Sequence, residues 1–377
     1  MYSIFGPSRI LPLVTVLSLT INSHAHADTF SDVYEAFQHA YEQNDIAASV
    51  TLSQKAWQLA GKQFGSTSEN TLKLHYSYAN MLVLAQQYDN AAREYRSVIK
   101  QYKAVYGDTH IDTLLTYTGI LKNLNTLSYE IVHKSEVKTL KPALAKYLLR
   151  NIEEVQDASE QEHAYLYSQV AKEVIQITYM PVQLSELIRF LNTAVGKAEK
   201  QWGPNNQQTL ETRYFLARGL EAKGHRTDAI DNYLSVATGF DNNNSFSHPY
   251  SLASHARLVT LYEEGGESEQ ATYHCQAIGQ MTPWDTNQDP QPLYRVNPDY
   301  PRSQARRNQE GSVQLAFRVD TQGLVKNIKV VSTQGNESFA DAAIKALSQW
   351  RYAPQFEDGK PIDSTELKVI LDFTLGI

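Results

Sequence analysis

The sequence predicts a multidomain chain: an all-α solenoid of helical hairpins, then a small α+β domain built on a β-β-α-β antiparallel sheet. Three observations carry this. An aromatic-glycine-threonine signature returns at a spacing of 42 residues. Beyond Pro290 the apolar period changes from that of a helix to the two-residue alternation of strands. The length, 377 residues, exceeds one small domain and suits two or three.

Composition narrows the function classes. Hydrophobic residues at 42% with 20% charged residues suit a folded chain, and a mean hydropathy of −0.43 excludes a polytopic membrane protein. Net charge is −7, from 34 basic and 41 acidic residues, against the basic footprint of a general nucleic-acid binder. The charge is uneven: residues 28–289 carry −9 and residues 290–377 carry +1. A single cysteine, Cys275, excludes an internal disulfide framework and any cysteine-rich metal site.

The chain opens with one basic residue, Arg9, before an apolar stretch from Ile10 to Ile21. At about 12 residues it is shorter than the ~20 of a membrane-spanning helix. It closes on Ala25-His26-Ala27, a small-x-small cleavage pattern. Residues 1–27 therefore read as a secretory signal peptide, which places the mature chain in the periplasm. The alternative is an uncleaved anchor on the periplasmic side of the inner membrane.

The repeat comes next. Phe64-Gly65 precedes Thr71, Tyr106-Gly107 precedes Thr113, and Trp202-Gly203 precedes Thr209. Glycine stops a helix by entering backbone conformations closed to other residues, and the polar residues around the threonine suit the next helix start. Ala79, Ala91 and Tyr95 lie 8, 20 and 24 residues beyond Thr71; Ala217, Ala229 and Tyr233 lie at those offsets from Thr209, and Val259, Ala271 and Cys275 from Ser251. Small residues at the first two offsets allow close helix approach, and the larger third fills the groove beside the next hairpin. This resembles the tetratricopeptide repeat in its kinesin-light-chain-like, 42-residue form. The likeness is good over 68–105, 207–240 and 248–280. It weakens over 30–63, where Asp45-x-Ala47-Ala48 echoes Asp89-x-Ala91-Ala92, and fails inside 114–200, still helical, where Pro142 and Pro181 read as helix starts. The repeat domain is thus set at 28–281. Many of the 23 tyrosines fall in it, as packing residues between hairpins rather than a peptide-binding cage.

Residues 282–291, polar and proline-punctuated, read as a linker. A short helix follows Tyr300-Pro301. Val313, Leu315, Phe317 and Val319 form the apolar face of a strand, Asp320–Gly323 a hairpin turn, and Leu324–Ser332 a second strand. Ser338-Phe-Ala-Asp341 offers a capping box for a helix whose apolar face includes Phe339, Ala343, Leu347 and Trp350. In the last strand Leu367, Val369, Leu371, Phe373 and Leu375 point one way, and Lys368, Ile370, Asp372 and Thr374 the other.

Across 292–377 the ordered motifs Tyr300-Pro301, Gly311, Gly323, Phe339, Trp350-x-Tyr352-x-Pro354 and the final strand resemble the C-terminal domain of the TonB family of periplasmic energy transducers. The resemblance implies an interaction protein with no catalysis, cofactor, small-molecule substrate or nucleic acid. Its C-terminal sheet would accept an extended strand from a cell-envelope protein, such as a TonB-dependent outer-membrane receptor, while the repeats hold a second partner. The accepting edge would be the last strand: Leu367, Lys368, Val369, Ile370, Leu371, Asp372 and Phe373. Tyr300, Pro301, Gly311, Gly323, Phe339, Trp350, Tyr352 and Pro354 would buttress the fold. The alternative is an anchored TonB-type energy transducer for outer-membrane transport. Against it, the family's proline-rich spacer is replaced by hairpins, and Thr20 and His24 only approach its Ser–His anchor pair.

Residue patterns for catalysis are missing. The sequence has no G-x-S-x-G, H-E-x-x-H, P-loop or G-x-G-x-x-G string. His248 and His255 are seven apart and His274 adjoins Cys275, so neither pair has the i, i+4 spacing that brings two ligands together on one helix face. Glu153-Glu154 read as a solvated helix face and Glu263-Glu264 as an interhelix turn.

Overall fold

A computed structural model describes residues 29–177, 183–243, 248–281, 292–357 and 360–374. The predicted signal peptide, the predicted linker 282–291, Pro181 and Leu375 lie outside the described residues. The chain divides into two compact units, Met1–Val182 and Gln183–Ile377.

The first unit is helical: α1 (Phe30–Glu42), α2 (Ile46–Phe64), α3 (Glu69–Leu84), α4 (Tyr88–Tyr106), α5 (Ile111–Asn125), α6 (Tyr129–Lys134), α7 (Val137–Asn151) and α8 (Glu160–Val174). The repeat signature has a local mechanism. Gly65 and Gly107 end α2 and α4 at φ of 92° and 96°, a region glycine enters without penalty. Six residues on, the Thr71 and Thr113 hydroxyls donate back to the carbonyls of Gly65 and Gly107, at 2.8 and 2.9 Å. Glycine turns the chain and threonine clamps the turn.

Two expectations need correction here. Ala47 is exposed and Ala48 only half-buried, so the Asp45 echo is two residues out of phase. Asp45 caps α2, and the buried set of that helix, Ser49, Ser53, Ala56 and Ala60, stands 42 residues before Ala91, Tyr95, Val98 and Tyr102 of α4. The repeat therefore reaches α2 in phase, with serines where α4 has alanine and tyrosine. Pro142 lies inside α7 rather than at its start. That helix opens loosely, with Lys138 and Thr139 donating to Ser135 and Glu136 three residues back. A helix loses only one further backbone bond to a proline so near its first turn.

The second unit begins with five helices: α9 (Leu184–Trp202), α10 (Gln207–Lys223), α11 (Arg226–Asn243), α12 (Pro249–Glu264) and α13 (Ser268–Gln280). His248 caps α12, its Nδ1 accepting from the Tyr250 N–H, with Pro249 in the first turn. In both units the residues at offsets 8, 20 and 24 are fully buried: Ala79, Ala91, Tyr95, Ala217, Ala229, Tyr233, Val259, Ala271 and Cys275. The tyrosines at the third offset also carry a hydrogen bond inward, Tyr95 to Asn80 and Tyr233 to Glu221.

The unit ends in the α+β domain: β1 (Pro292–Tyr294), α14 (Arg302–Ala305), β2 (Gly311–Val319), β3 (Val325–Gln334), α15 (Ser338–Leu347), β4 (Arg351–Tyr352), β5 (Gln355–Glu357), β6 (Lys360–Ile362) and β7 (Leu367–Phe373). The main sheet is antiparallel in the order β3-β2-β7; β1 pairs with β4, and β5 with β6. One face of β2 and β7 meets α15 around Val313, Leu315, Phe317, Phe339, Leu347 and Phe373. The β-β-α-β plan thus gains four strands too short for alternation to reveal. The expected capping box does not form. Glu337 is the N-cap, Asn336 Oδ1 accepts from the Ser338 N–H at 3.0 Å, and the Ser338 hydroxyl has no partner among the described residues. The asparagine turn supplies the acceptor that serine was expected to provide.

Candidate partner-binding edge

Strands β3 and β7 are the two edges of the main sheet among the described residues, and they are built differently. Along β7 the register against β2 is unbroken, from Gly311 opposite Phe373 to Phe317 opposite Leu367. Along β3 it slips twice. Gln314 faces Ser332 but Leu315 faces Val330, which leaves Val331 as an extra residue, 49% exposed. The second slip lies between Lys329 and Lys326, where Asn327 sits at a φ of 53°. Bulges on an edge oppose the docking of another strand.

Side chains alternate cleanly along β7. Leu371 and Phe373 are buried and Leu367 and Val369 half-buried, while Lys368, Ile370 and Asp372 face solvent. Ile370 is 59% exposed. The direction of the peptide groups follows from bonds at the end of β2. The Val319 N–H donates to Ser364 Oγ at 2.9 Å, and the Val319 carbonyl accepts from the Ser364 N–H at 2.8 Å. Asp320, one residue on, donates instead to Leu324 at the start of the β3 side. Peptide direction alternates every residue. Odd-numbered residues of β2 therefore bond toward β7, and across the register Leu367, Val369, Leu371 and Phe373 bond toward β2. The N–H and C=O groups of Lys368, Ile370 and Asp372 project from the outer edge.

The motif residues lie around the core instead. Phe339, Trp350 and Tyr352 are buried, and Trp350 Nε1 donates to the Val296 carbonyl at 2.8 Å. The Tyr300 ring stands edge-on to Phe339 and Phe373, and its hydroxyl donates to the Gln309 carbonyl at 2.7 Å. The Pro301 carbonyl accepts from Gln304 and Ala305 to start α14. At Gly311 a Cβ would lie 2.5 Å from the Gln334 carbonyl oxygen, and at Gly323, where φ is 77°, 2.2 Å from that of Tyr352. Pro354 is buried, with its carbonyl against Gly279 of α13.

Sequence reasoning missed two polar arrangements. Glu263 is part of a contact between α12 and the sheet domain: Arg351, 3% exposed, donates from Nε to Glu263 Oε1 at 2.6 Å. Beside it, Gln276 of α13 donates to the Thr321 carbonyl, and the Cys275 thiol is pushed up to about 12 by burial. The second joins His255 and His274 through their Nδ1 atoms at 2.7 Å, with His255 Nε2 on Asp241 at 3.1 Å and Ser251 donating to Asp241 at 2.7 Å. Burial, then the neighbouring His255, lowers His274 to about 3. The imidazoles bond each other instead of converging on a point, and no group among the described residues has the arrangement of a metal site.

In the first unit a groove of about 350 Å³ runs beside α3, α4, α5 and α8 and is lined by Tyr76, Tyr102, Tyr106 and Tyr165 among others. Glu173 at its margin is raised by burial and accepts from Asn125 at 2.9 Å. Of these four tyrosines Tyr102 is buried, Tyr76 and Tyr106 are half-buried and Tyr165 is exposed. Among the described residues no helix is long and apolar enough to cross a membrane.

Comparison with known proteins places the sheet domain. Residues 296–375 match the family model of the Gram-negative bacterial TonB protein C-terminal. Curated relatives include Protein TonB of Vibrio cholerae, 34% identical over 18% of this chain and 28% of that protein. Protein tonB2 of Pseudomonas aeruginosa is 34% identical over 22% of this chain and 31% of its own length, and Protein TonB of Salmonella typhimurium 37% identical over 22% and 32%. A putative kinesin light chain with TPR-like repeats from Podospora anserina superposes with a TM-score of 0.45 at 14% identity, covering 59% of this chain and 100% of that one. The chain spans less than a third of the length of the curated relatives it matches. Its C-terminal segment, residues 296–375, is a domain of the TonB C-terminal type.

Proposed function

We propose that this chain is a non-enzymatic interaction protein of the bacterial envelope, which captures an extended segment of a partner on β7 and holds a second partner on its helical repeats. The observation that carries the reading is the contrast of edges: β7 is regular and turns three residues' peptide groups outward, whereas β3 is bulged twice. An added strand satisfies those groups and extends the sheet. Similarity to proteins named TonB makes an outer-membrane receptor of the TonB-dependent kind the first candidate partner. The tyrosine-lined groove is the candidate site for the second partner. Export and cleavage after Ala27 would leave 28–281 as the repeat domain, 282–291 as the linker and 292–377 as the docking domain, in the periplasm.

The same similarity favours a second reading, an inner-membrane-anchored energy transducer. N-terminal sequencing separates the two, because a mature chain that starts at Asp28 has no anchor. For the edge, Ile370→Pro removes an outward N–H and leaves the β2–β7 ladder intact. Loss of receptor capture in a variant with unchanged circular dichroism supports the proposal; full capture rejects it.

A further inference from the structure

We infer that the outer edge of β7 selects an amphipathic strand by charge order, taking an acidic residue beside Lys368, an apolar one beside Ile370 and a basic one beside Asp372. The inference rests on the reading of β7 as the accepting edge and specifies what that edge accepts. Lys368, Ile370 and Asp372 share the solvent face of the strand at two-residue spacing, with the two charges four residues apart. Their neighbours across β2 are Ala316, Gln314 and Ser312, none of them charged. The sheet therefore leaves both charges to whatever pairs on the other side. Residues directly opposite in neighbouring strands lie about 5 Å apart, where opposite charges attract and like charges repel.

The other face adds an apolar requirement. Leu371 and Phe373 are buried under the core, but Leu367 and Val369 remain half-buried. An incoming strand covers them only if its alternate residues are apolar. The partner segment is then apolar on one face and carries acid, apolar and base in sequence on the other. Read from its N-terminus, acid comes first if the strand runs parallel to β7, and base first if it runs antiparallel.

Two synthetic peptides test this on the full mature chain: Thr-Glu-Val-Ile-Val-Lys-Thr and its charge-reversed form Thr-Lys-Val-Ile-Val-Glu-Thr, with a Gln-for-charge control. One order should bind roughly three- to tenfold more tightly than the other, with the control between them. The preference should shrink as salt is raised, because exposed charges are screened. In the double variant Lys368→Asp, Asp372→Lys it should invert. Should that variant fold poorly, the salt titration of the unaltered chain decides alone. Equal binding of both orders and of the uncharged control at low salt overturns the charge selection but leaves β7 as the edge, whereas both orders binding more tightly than the control supports it with strands of either direction. Binding of none of the three overturns both.

Discussion

The two edges of one small sheet share a core strand and differ in what they offer a partner. β3 is the longer edge, and by length alone it would be the better template. Its two register slips and Asn327 in the left-handed region break the row of outward peptide groups. β7 is shorter and keeps an unbroken register. An edge is blunted by bulges, not by brevity alone. The regular edge is the one whose outward peptide groups form an unbroken row.

The comparison can be broken from either side. The largest effect is expected from Ile370→Pro, with affinity for a captured strand falling tenfold or more by titration calorimetry. Val331→Lys, in the bulge of the opposite edge, should leave affinity unchanged. Loss of binding in the second variant and not the first would reverse the assignment of edges.

The end of the sheet that meets α12 and α13 is locked by Arg351. Arg351→Met leaves Glu263 without its partner and should cost about 3 kcal/mol in chemical denaturation. The buried Cys275 should then react faster with a thiol reagent, while the affinity of β7 for a strand stays the same. Gly323→Ala forces a Cβ against the Tyr352 carbonyl at a positive φ and should destabilise by ~2 kcal/mol. Its effect on strand capture should be negligible, because this turn lies away from the outer edge of β7.

The smallest effect is on pH dependence. His274 stays neutral in the fold down to about 3, whereas an unfolded histidine titrates near 6.5. Between those values the unfolded chain binds more protons, so stability falls as pH drops through that window. A His274→Gln variant should show a flatter melting temperature between about pH 6.5 and 4.5, measured by calorimetry.

Much of the fold is legible in the sequence, because each signature records a local constraint. Gly65 and Gly107 occupy backbone conformations that glycine alone enters freely, and the threonine hydroxyls close on them; nine positions at offsets 8, 20 and 24 became the buried helix contacts. The alternation of Leu367 to Phe373 fixed which side chains face the core. The strands β1, β4, β5 and β6 are too short to alternate. The bulges of β3 are invisible to periodicity, because an extra residue only resets the phase. The polar pairs between helices were missed because histidines were compared along one helix. Offsets 4 and 23 from the repeat threonine join His75 to Glu94, Arg213 to Asn232 and, counted from Ser251, His255 to His274. The repeat phase carries that signal, and spacing on a single helix does not.

Residue-resolved amide hydrogen exchange on the mature chain, free and saturated with the tighter of the two charge-ordered peptides, tests the central claim most directly. The account expects the Lys368, Ile370 and Asp372 amides to exchange quickly in the free chain and slowly in the complex, with Val330 and Val331 unaffected. Protection along β3, or none on those three amides of β7, would contradict it.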